Sequence, residues 1–191
     1  MYQLFLGTIS ALCTTPLPAS LLREAPNGKR RDAWLAGRAL LHRAVSPLPA
    51  LHYGEQGKPG FGDDASLWFN LSHSGDRIAL LLSDEGPVGC DIEVVRPRPQ
   101  WQQLANAVFT GNEHLELEQH DEADRLAAFW RIWTRKEAMI KQRGGSAWQI
   151  VSVDSVAPLN VHVSDLQQDG LSIAVCTATP YTPALTLEGK R

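Results

Sequence analysis

Apolar residues recur at three- and four-residue spacings through Leu126, Phe129, Trp130, Ile132, Trp133 and Ile140, and Gly144-Gly145 follows them. No strand keeps that period, so residues 122–143 are expected to form one long amphipathic helix, stopped by glycines that accept the left-handed turn at a helix end. Such a helix must bury its apolar side against something, and the rest of the chain offers short apolar runs between turn signals. Strands are expected at about residues 2–10, 67–71, 77–83, 88–95, 148–156, 160–166 and 172–177. A second helix is expected over residues 30–46, ended by Pro47 and Pro49. Past the Arg96-Pro97-Arg98-Pro99 break the chain is expected to be helical from residue 101, with a turn at 110–112 and an acidic loop around His120. The last dozen residues, from Pro180, read as loosely ordered. The result is an α+β chain with a break near residues 85–88.

Composition narrows the function. An apolar share of 43% in 191 residues is enough for a real core in one compact domain or two small fused halves. The net charge is −3, which argues against a nucleic-acid binder. Bases are nevertheless clustered, with Arg23, Lys29, Arg30, Arg31, Arg38 and Arg43 early and Arg131, Arg135, Lys136, Lys141 and Arg143 on the long helix. Either cluster is a solvated helix face or a local docking point for an anionic ligand. Cys13, Cys90 and Cys176 are odd in number and scattered, so a reducing compartment suits them better than a disulfide framework. The six histidines show no zinc-binding spacing. No apolar run approaches the eighteen or so residues of a membrane span, and residues 1–13 lack the basic lead of a secretion signal. A cytoplasmic chain with no membrane or nucleic-acid partner, working as a monomer, is the expectation.

Three segments carry chemistry. In Gly89-Cys90-Asp91-Ile92-Glu93 strand alternation puts Asp91 and Glu93 on one face and Cys90, Ile92 and Val94 on the other. Two acids so close repel unless a cation or protons relieve them, although two solvated surface acids would read the same way. On the long helix Glu137 and Lys141 lie one turn apart on one face, as an ordinary ion pair would also lie. Between these in function stands Asn70-Leu71-Ser72-His73-Ser74-Gly75-Asp76, either a turn capped by its own side chains or a phosphate-contacting segment. Gly54 to Gly62 is glycine-rich but no Walker loop, because Pro59 follows Lys58.

In this order and spacing, Asn-Leu-Ser-His-Ser at 70–74, Gly-Cys-Asp-Ile-Glu at 89–93 and Phe-x-x-x-Trp-Thr-x-Lys-Glu-Ala-x-x-Lys at 129–141 resemble the 4′-phosphopantetheinyl transferases of the two-subdomain, surfactin-synthetase-activating type. Gly57-Lys58-Pro59, and Phe109 to Glu113 opening the helical half, match weaker family features. The chain looks most like the short bacterial holo-acyl-carrier-protein synthases. The resemblance implies two similar α/β halves related by a pseudo-twofold, divided here as 1–87 on the coenzyme A side and 88–191 on the metal and carrier side, with the active site in the cleft between them.

It further implies transfer of 4′-phosphopantetheine from coenzyme A to a serine hydroxyl of an apo acyl carrier protein, releasing adenosine 3′,5′-bisphosphate. Mg²⁺, or Mn²⁺, would be held by Asp91, Glu93 and Glu137, since hard carboxylate oxygens suit these ions better than zinc. Glu137 is the expected general base, directly or through water, and Lys141 the cation for the transferred phosphates. Ser72, His73 and Lys58 match coenzyme A contacts. Arg30, Arg31 and Arg38 are candidates for the 3′-phosphate, because guanidinium forks take phosphate bidentately. Lys136 is expected on the cofactor side of the helix, Trp130, Trp133 and Phe129 in the core, and Cys90 buried and inert. Val95 to Phe109 mixes basic and apolar residues suited to an acidic carrier. Competing readings are a metal-dependent phosphohydrolase and a noncatalytic carrier-binding module; a hydrolase on Ser72 and His73 fails because neighbouring strand residues diverge.

Overall fold

The computed structural model describes residues 1–184 and 186–187. The chain runs through β1 (Tyr2–Thr8), α1 (Ile9–Leu12), α2 (Ala19–Leu22), α3 (Arg31–Ala44), the hairpin β2 (Leu51–Tyr53) and β3 (Pro59–Phe61), then β4 (Trp68–Ser74), β5 (Arg77–Ser83) and β6 (Gly89–Val94). Next come α4 (Trp101–Val108), α5 (Gly111–Glu118) and α6 (Arg125–Arg143), followed by β7 (His162–Gln168), β8 (Leu171–Thr177) and β9 (Thr186–Leu187). The strands form one sheet in the order β4-β5-β1-β9 and another in the order β6-β8-β7, besides the β2-β3 hairpin. Neighbours are antiparallel except β9, which runs parallel to β1.

Period-two alternation sets the layers. On the first sheet Leu4, Leu6, Ala79 and Leu81 turn inward to meet Cys90, Ile92, Ile173 and Val175 of the second. Their neighbours Ile78, Leu80 and Leu82 turn outward onto Ala36, Ala39, Leu40 and Leu41 of α3. The second sheet does the same, with Ala174 and Cys176 under Ala138, Met139 and Ile140 of α6. The fold is therefore α+β, with α3 outside one sheet, α6 outside the other, and a shared apolar seam between the sheets. Each fully buried Leu or Ile in that seam contributes about 1.5–3 kcal/mol. The N-terminal half of α6 packs instead on α4 and α5, where Phe129 stacks with Phe109 at 5.5 Å and meets Trp101 at 5.6 Å. Among the described residues no helix is long and apolar enough to cross a membrane.

Three expectations need correcting. The strand expected at 148–156 is a 3₁₀ helix over Ala147–Ser152, started by a capping box between Ser146 and Gln149. Trp148 and Val151 are exposed there, so this β-prone run has no sheet face to fill. The strand expected to reach Ser10 stops at Thr8, because Asp76 draws the chain into a helical turn: its carbonyl accepts from Ile9 N–H at 2.9 Å and its Oδ1 from Ser10 N–H at 2.8 Å. The loose tail expected from Pro180 contains β9, and the rest of it, residues 185 and 188–191, lies outside the described residues.

α6 comes tightly against β6 at Gly89. A Cβ there would stand 2.0 Å from the Ala138 carbonyl oxygen and 2.4 Å from the Gln142 nitrogen. Both are backbone atoms and cannot rotate away. Gly89→Ala is expected to cost about 3 kcal/mol, the upper part of the overpacking range, and so to lower Tm by roughly 6–12 °C in a thermal melt.

Candidate active site

Asp91 reaches the site because β6 alternates. Cys90 and Ile92 enter the apolar seam, leaving Gly89, Asp91 and Glu93 on the face that α6 covers. The close fit at Gly89 brings α6 down so that Lys141 meets Asp91. Lys141 Nζ donates to Asp91 Oδ1 at 2.5 Å and to Ser72 Oγ at 2.9 Å, and Ser72 Oγ donates to Asp91 Oδ1 at 2.8 Å. Burial works against the Lys141 charge, but the attraction and hydrogen bond of Asp91 outweigh it and hold Lys141 above the ordinary lysine value. Two of its three N–H donors are engaged, so one stays available for an anion.

Glu137, one turn earlier on α6, has no hydrogen-bond partner among the described residues. Burial holds its carboxyl above the ordinary carboxylate range; the Asp91 and Glu93 charges add to this and Lys141 opposes it. Glu93 is raised too, first by burial, although it accepts from Ser74 Oγ at 2.6 Å. The three carboxylates thus feel one another across the junction of β6 and α6.

They do not form a finished cage. Among the described residues no three His, Cys, Asp or Glu side chains are grouped to hold a metal ion. The convergence expected of Asp91, Glu93 and Glu137 is not met in that strict sense: Ser72 and Lys141 hold Asp91, Ser74 holds Glu93, and the like charges repel without a cation between them. The donor chemistry nevertheless suits a hard divalent ion. Asp91 Oδ2 is buried without a partner, an arrangement that is costly unless something accepts its lone pairs.

The expected cofactor contacts separate into two groups. His73 and Arg30 are exposed, and Arg31 is half-buried with one bond, to the Pro26 carbonyl at 3.3 Å. His73 shares its face of β4 with Leu71, which packs toward α3, while Ser72 faces β6. Ser72 and His73 therefore serve opposite sides of the strand. Arg38 is buried, stacked over Trp34 at 4.6 Å and bonded to Tyr53 Oη at 2.8 Å, with its Nε left unpartnered. Lys58 bridges the β2-β3 hairpin to the core by donating to the Val88 carbonyl at 3.0 Å and the Lys141 carbonyl at 2.6 Å. It thereby caps the C-terminal end of α6, where a cation is favoured. Burial lowers its pKa. A cavity of about 220 Å³ lies alongside, lined by Lys58, Asn70 and Lys141 among others.

Lys136 is a correction. Its side chain is 0% exposed and so is that of its partner Glu113 on α5, at 2.7 Å. Its ammonium also donates to the Val153 carbonyl at 2.5 Å. One residue along a helix is a rotation of about 100°, which carries Lys136 away from the face that Glu137 shares with Lys141. It joins α5, α6 and the segment before β7, and it has no free route to a cofactor.

Two residues within the matched motifs take roles that the motifs alone do not assign. Glu113 was visible as the third residue after Thr110, the spacing of the capping box that starts α5, but its buried partner was not. Ser74 could have been found by alternation, two positions from Ser72.

Residues 87–184 match the model of a family described as the 4′-phosphopantetheinyl transferase superfamily. The chain is 65% identical over 182 residues to the 4′-phosphopantetheinyl transferase AcpT of Salmonella typhimurium, covering 95% of each chain. It is 61% identical to AcpT of Escherichia coli strain K12, covering 95% of this chain and 93% of the relative. Similarity extends to the 4′-phosphopantetheinyl transferase Sfp of Bacillus subtilis, 31% identical over 145 residues, 68% of this chain and 63% of the relative.

Proposed function

Because this chain belongs to the 4′-phosphopantetheinyl transferase superfamily, we propose that it moves 4′-phosphopantetheine from coenzyme A onto a serine hydroxyl of an apo acyl carrier protein, with Asp91, Glu93, Glu137 and Lys141 as its reactive centre. It is a transferase. The observation that carries the site assignment is the Lys141 ammonium held on Asp91 and Ser72, one helical turn from a Glu137 carboxylate that has no hydrogen-bond partner among the described residues.

In this reading the carrier serine oxygen attacks the β-phosphorus of coenzyme A. A new O–P bond forms, the bridging P–O bond breaks, and adenosine 3′,5′-bisphosphate leaves with the electron pair. Glu137 takes the serine proton, directly or through water. Lys141 offers its remaining N–H to the charge building on the phosphates. Mg²⁺ or Mn²⁺, held by Asp91, Glu93 and Glu137, would neutralise the pyrophosphate and polarise the phosphorus. Lys58 and Lys141 line the cavity in which the diphosphate is proposed to lie, with exposed His73 as a further phosphate contact, Arg30 and Arg31 as candidates for the 3′-phosphate, and Arg38 bracing the hairpin. The division at residues 87 and 88, with the reaction between the two halves, is part of the same proposal.

The carrier is proposed to approach along residues 95–109. There Arg96 keeps about half its side chain exposed, and Arg98 lies over the rings of Trp130 and Trp133 at 5.5 Å. This basic rim on an aromatic base suits an acidic helical partner. Use of coenzyme A, together with three free cysteines, fits a cytoplasmic setting.

The test is to incubate the protein with coenzyme A, Mg²⁺ and apo carrier proteins and weigh the carriers intact. A gain of one phosphopantetheine on the carrier serine is expected. Coenzyme A breakdown without a carrier would indicate a phosphohydrolase, and carrier binding with no mass gain a noncatalytic module; either result would sink the proposal.

A further inference from the structure

β4 and β6 are edge strands of separate sheets, and no main-chain ladder joins them among the described residues. Side chains of β4 do the joining instead. Asn70 Oδ1 accepts from Cys90 N–H at 2.8 Å, Ser72 Oγ from Ile92 N–H at 3.3 Å, and Ser74 Oγ from Val94 N–H at 3.2 Å. The regular step follows from the period of two on both strands, and it satisfies edge amides that would otherwise be buried unpaired.

The two serine rungs differ from the asparagine rung in one respect. Each serine has a single O–H to donate. Ser72 gives it to Asp91 Oδ1 at 2.8 Å, and Ser74 gives it to Glu93 Oε2 at 2.6 Å. Each serine is thus fixed on one side by the amide of the residue after the carboxylate and on the other by the carboxylate itself. Both serines are buried. Asn70, by contrast, touches neither acid.

We infer that Ser72 and Ser74 are positioning residues that orient Asp91 and Glu93 toward a divalent cation, coupling that orientation to the joint between the two sheets; the inference rests on the metal-dependent transferase proposed above. It gives Ser72 a role different from a direct coenzyme A contact, and it gives Ser74 one that the sequence reading lacked. Groups that orient metal-binding carboxylates commonly change metal affinity when removed, without touching the ion.

Ser74 is the better test, since Ser72 also accepts at 2.9 Å from Lys141 of the reactive centre, whereas the further donor to Ser74 is Arg96 Nη1, at 3.5 Å and outside that centre. The measurement is Mn²⁺ binding to the full chain with coenzyme A present, read as free Mn²⁺ by electron paramagnetic resonance, alongside a thermal melt. Ser74→Ala is expected to weaken Mn²⁺ binding by about 10-fold to 100-fold. Ser74→Thr keeps the hydroxyl and is expected to stay close to wild type. Ser164→Ala removes a serine hydrogen bond on β7, to the Tyr181 carbonyl at 2.5 Å, that holds no carboxylate, so it is expected to lower Tm while leaving Mn²⁺ affinity unchanged. Unchanged affinity in Ser74→Ala, or an equal loss in Ser164→Ala, would overturn the inference while the metal-dependent reading stands. Absence of Mn²⁺ binding in the wild type would overturn that reading, and the inference with it.

Discussion

Glu137→Gln is expected to reduce phosphopantetheine transfer by about 10²- to 10⁴-fold, the span ordinarily lost with a general base. The variant keeps the shape of the side chain but removes the negative charge and the ability to take a proton. Because Glu137 makes no hydrogen bond among the described residues, the fold should not suffer. The opposite is expected. Burial and the charges of Asp91 and Glu93 raise the folded-state pKa of Glu137, so the folded protein binds this proton more tightly than the unfolded chain does. The stability this contributes is fully present below the ordinary glutamate pKa and is lost as pH rises through the raised one. In the absence of divalent cations, Glu137→Gln should therefore melt above wild type at pH 8 and converge with it near pH 4. Added Mg²⁺ should raise the wild-type Tm more than that of the variant. A variant that is both inactive and less stable at pH 8 would show that Glu137 serves the fold, against this account.

Lys136→Met should be the most damaging substitution to stability. Lys136 and Glu113 are both fully buried, and the Glu113 carboxylate also accepts from Thr110 N–H and Ser155 N–H, each at 2.8 Å. Removing the ammonium leaves a carboxylate in the core without its countercharge, which typically costs about 3–5 kcal/mol. For a chain of this size that is a fall in Tm of roughly 6–20 °C. The double variant Glu113→Gln with Lys136→Met should fall by less than the sum of the single changes, because neither strands a charge once both are gone. If Lys136→Met instead kept its Tm and lost coenzyme A affinity, Lys136 would be a cofactor ligand, contrary to its position here.

Such a pair shows where sequence reading reaches its limit. The period of α6 was plain, and so was the shared face of Asp91 and Glu93, because both follow from backbone geometry alone. Cys90 was expected buried and inert, and burial pushes its thiol up to about 12. The burial of Lys136 depends instead on α5 folding back so that Glu113 arrives beside it, and no local pattern encodes that meeting. Arg38 was one of three arginines on a basic stretch, and only the packing of Trp34 and Tyr53 around it separates it from Arg30. The run at 148–156 had the composition of a strand but no neighbouring edge to pair with. Ser72 and Ser74 needed knowledge that β4 lies against β6, a contact between two sheets that spacing along the chain cannot supply.

The claim on which everything else rests is that carboxylates from β6 and α6 serve one cation. Crystals grown with coenzyme A and Mn²⁺, with diffraction recorded at the manganese edge, test it most directly. An anomalous peak is expected beside the coenzyme A diphosphate, within coordination distance of carboxylate oxygens from Asp91, Glu93 and Glu137. Manganese bound at other acids, or coenzyme A bound with Lys141 alone meeting its diphosphate and no metal peak, would contradict it.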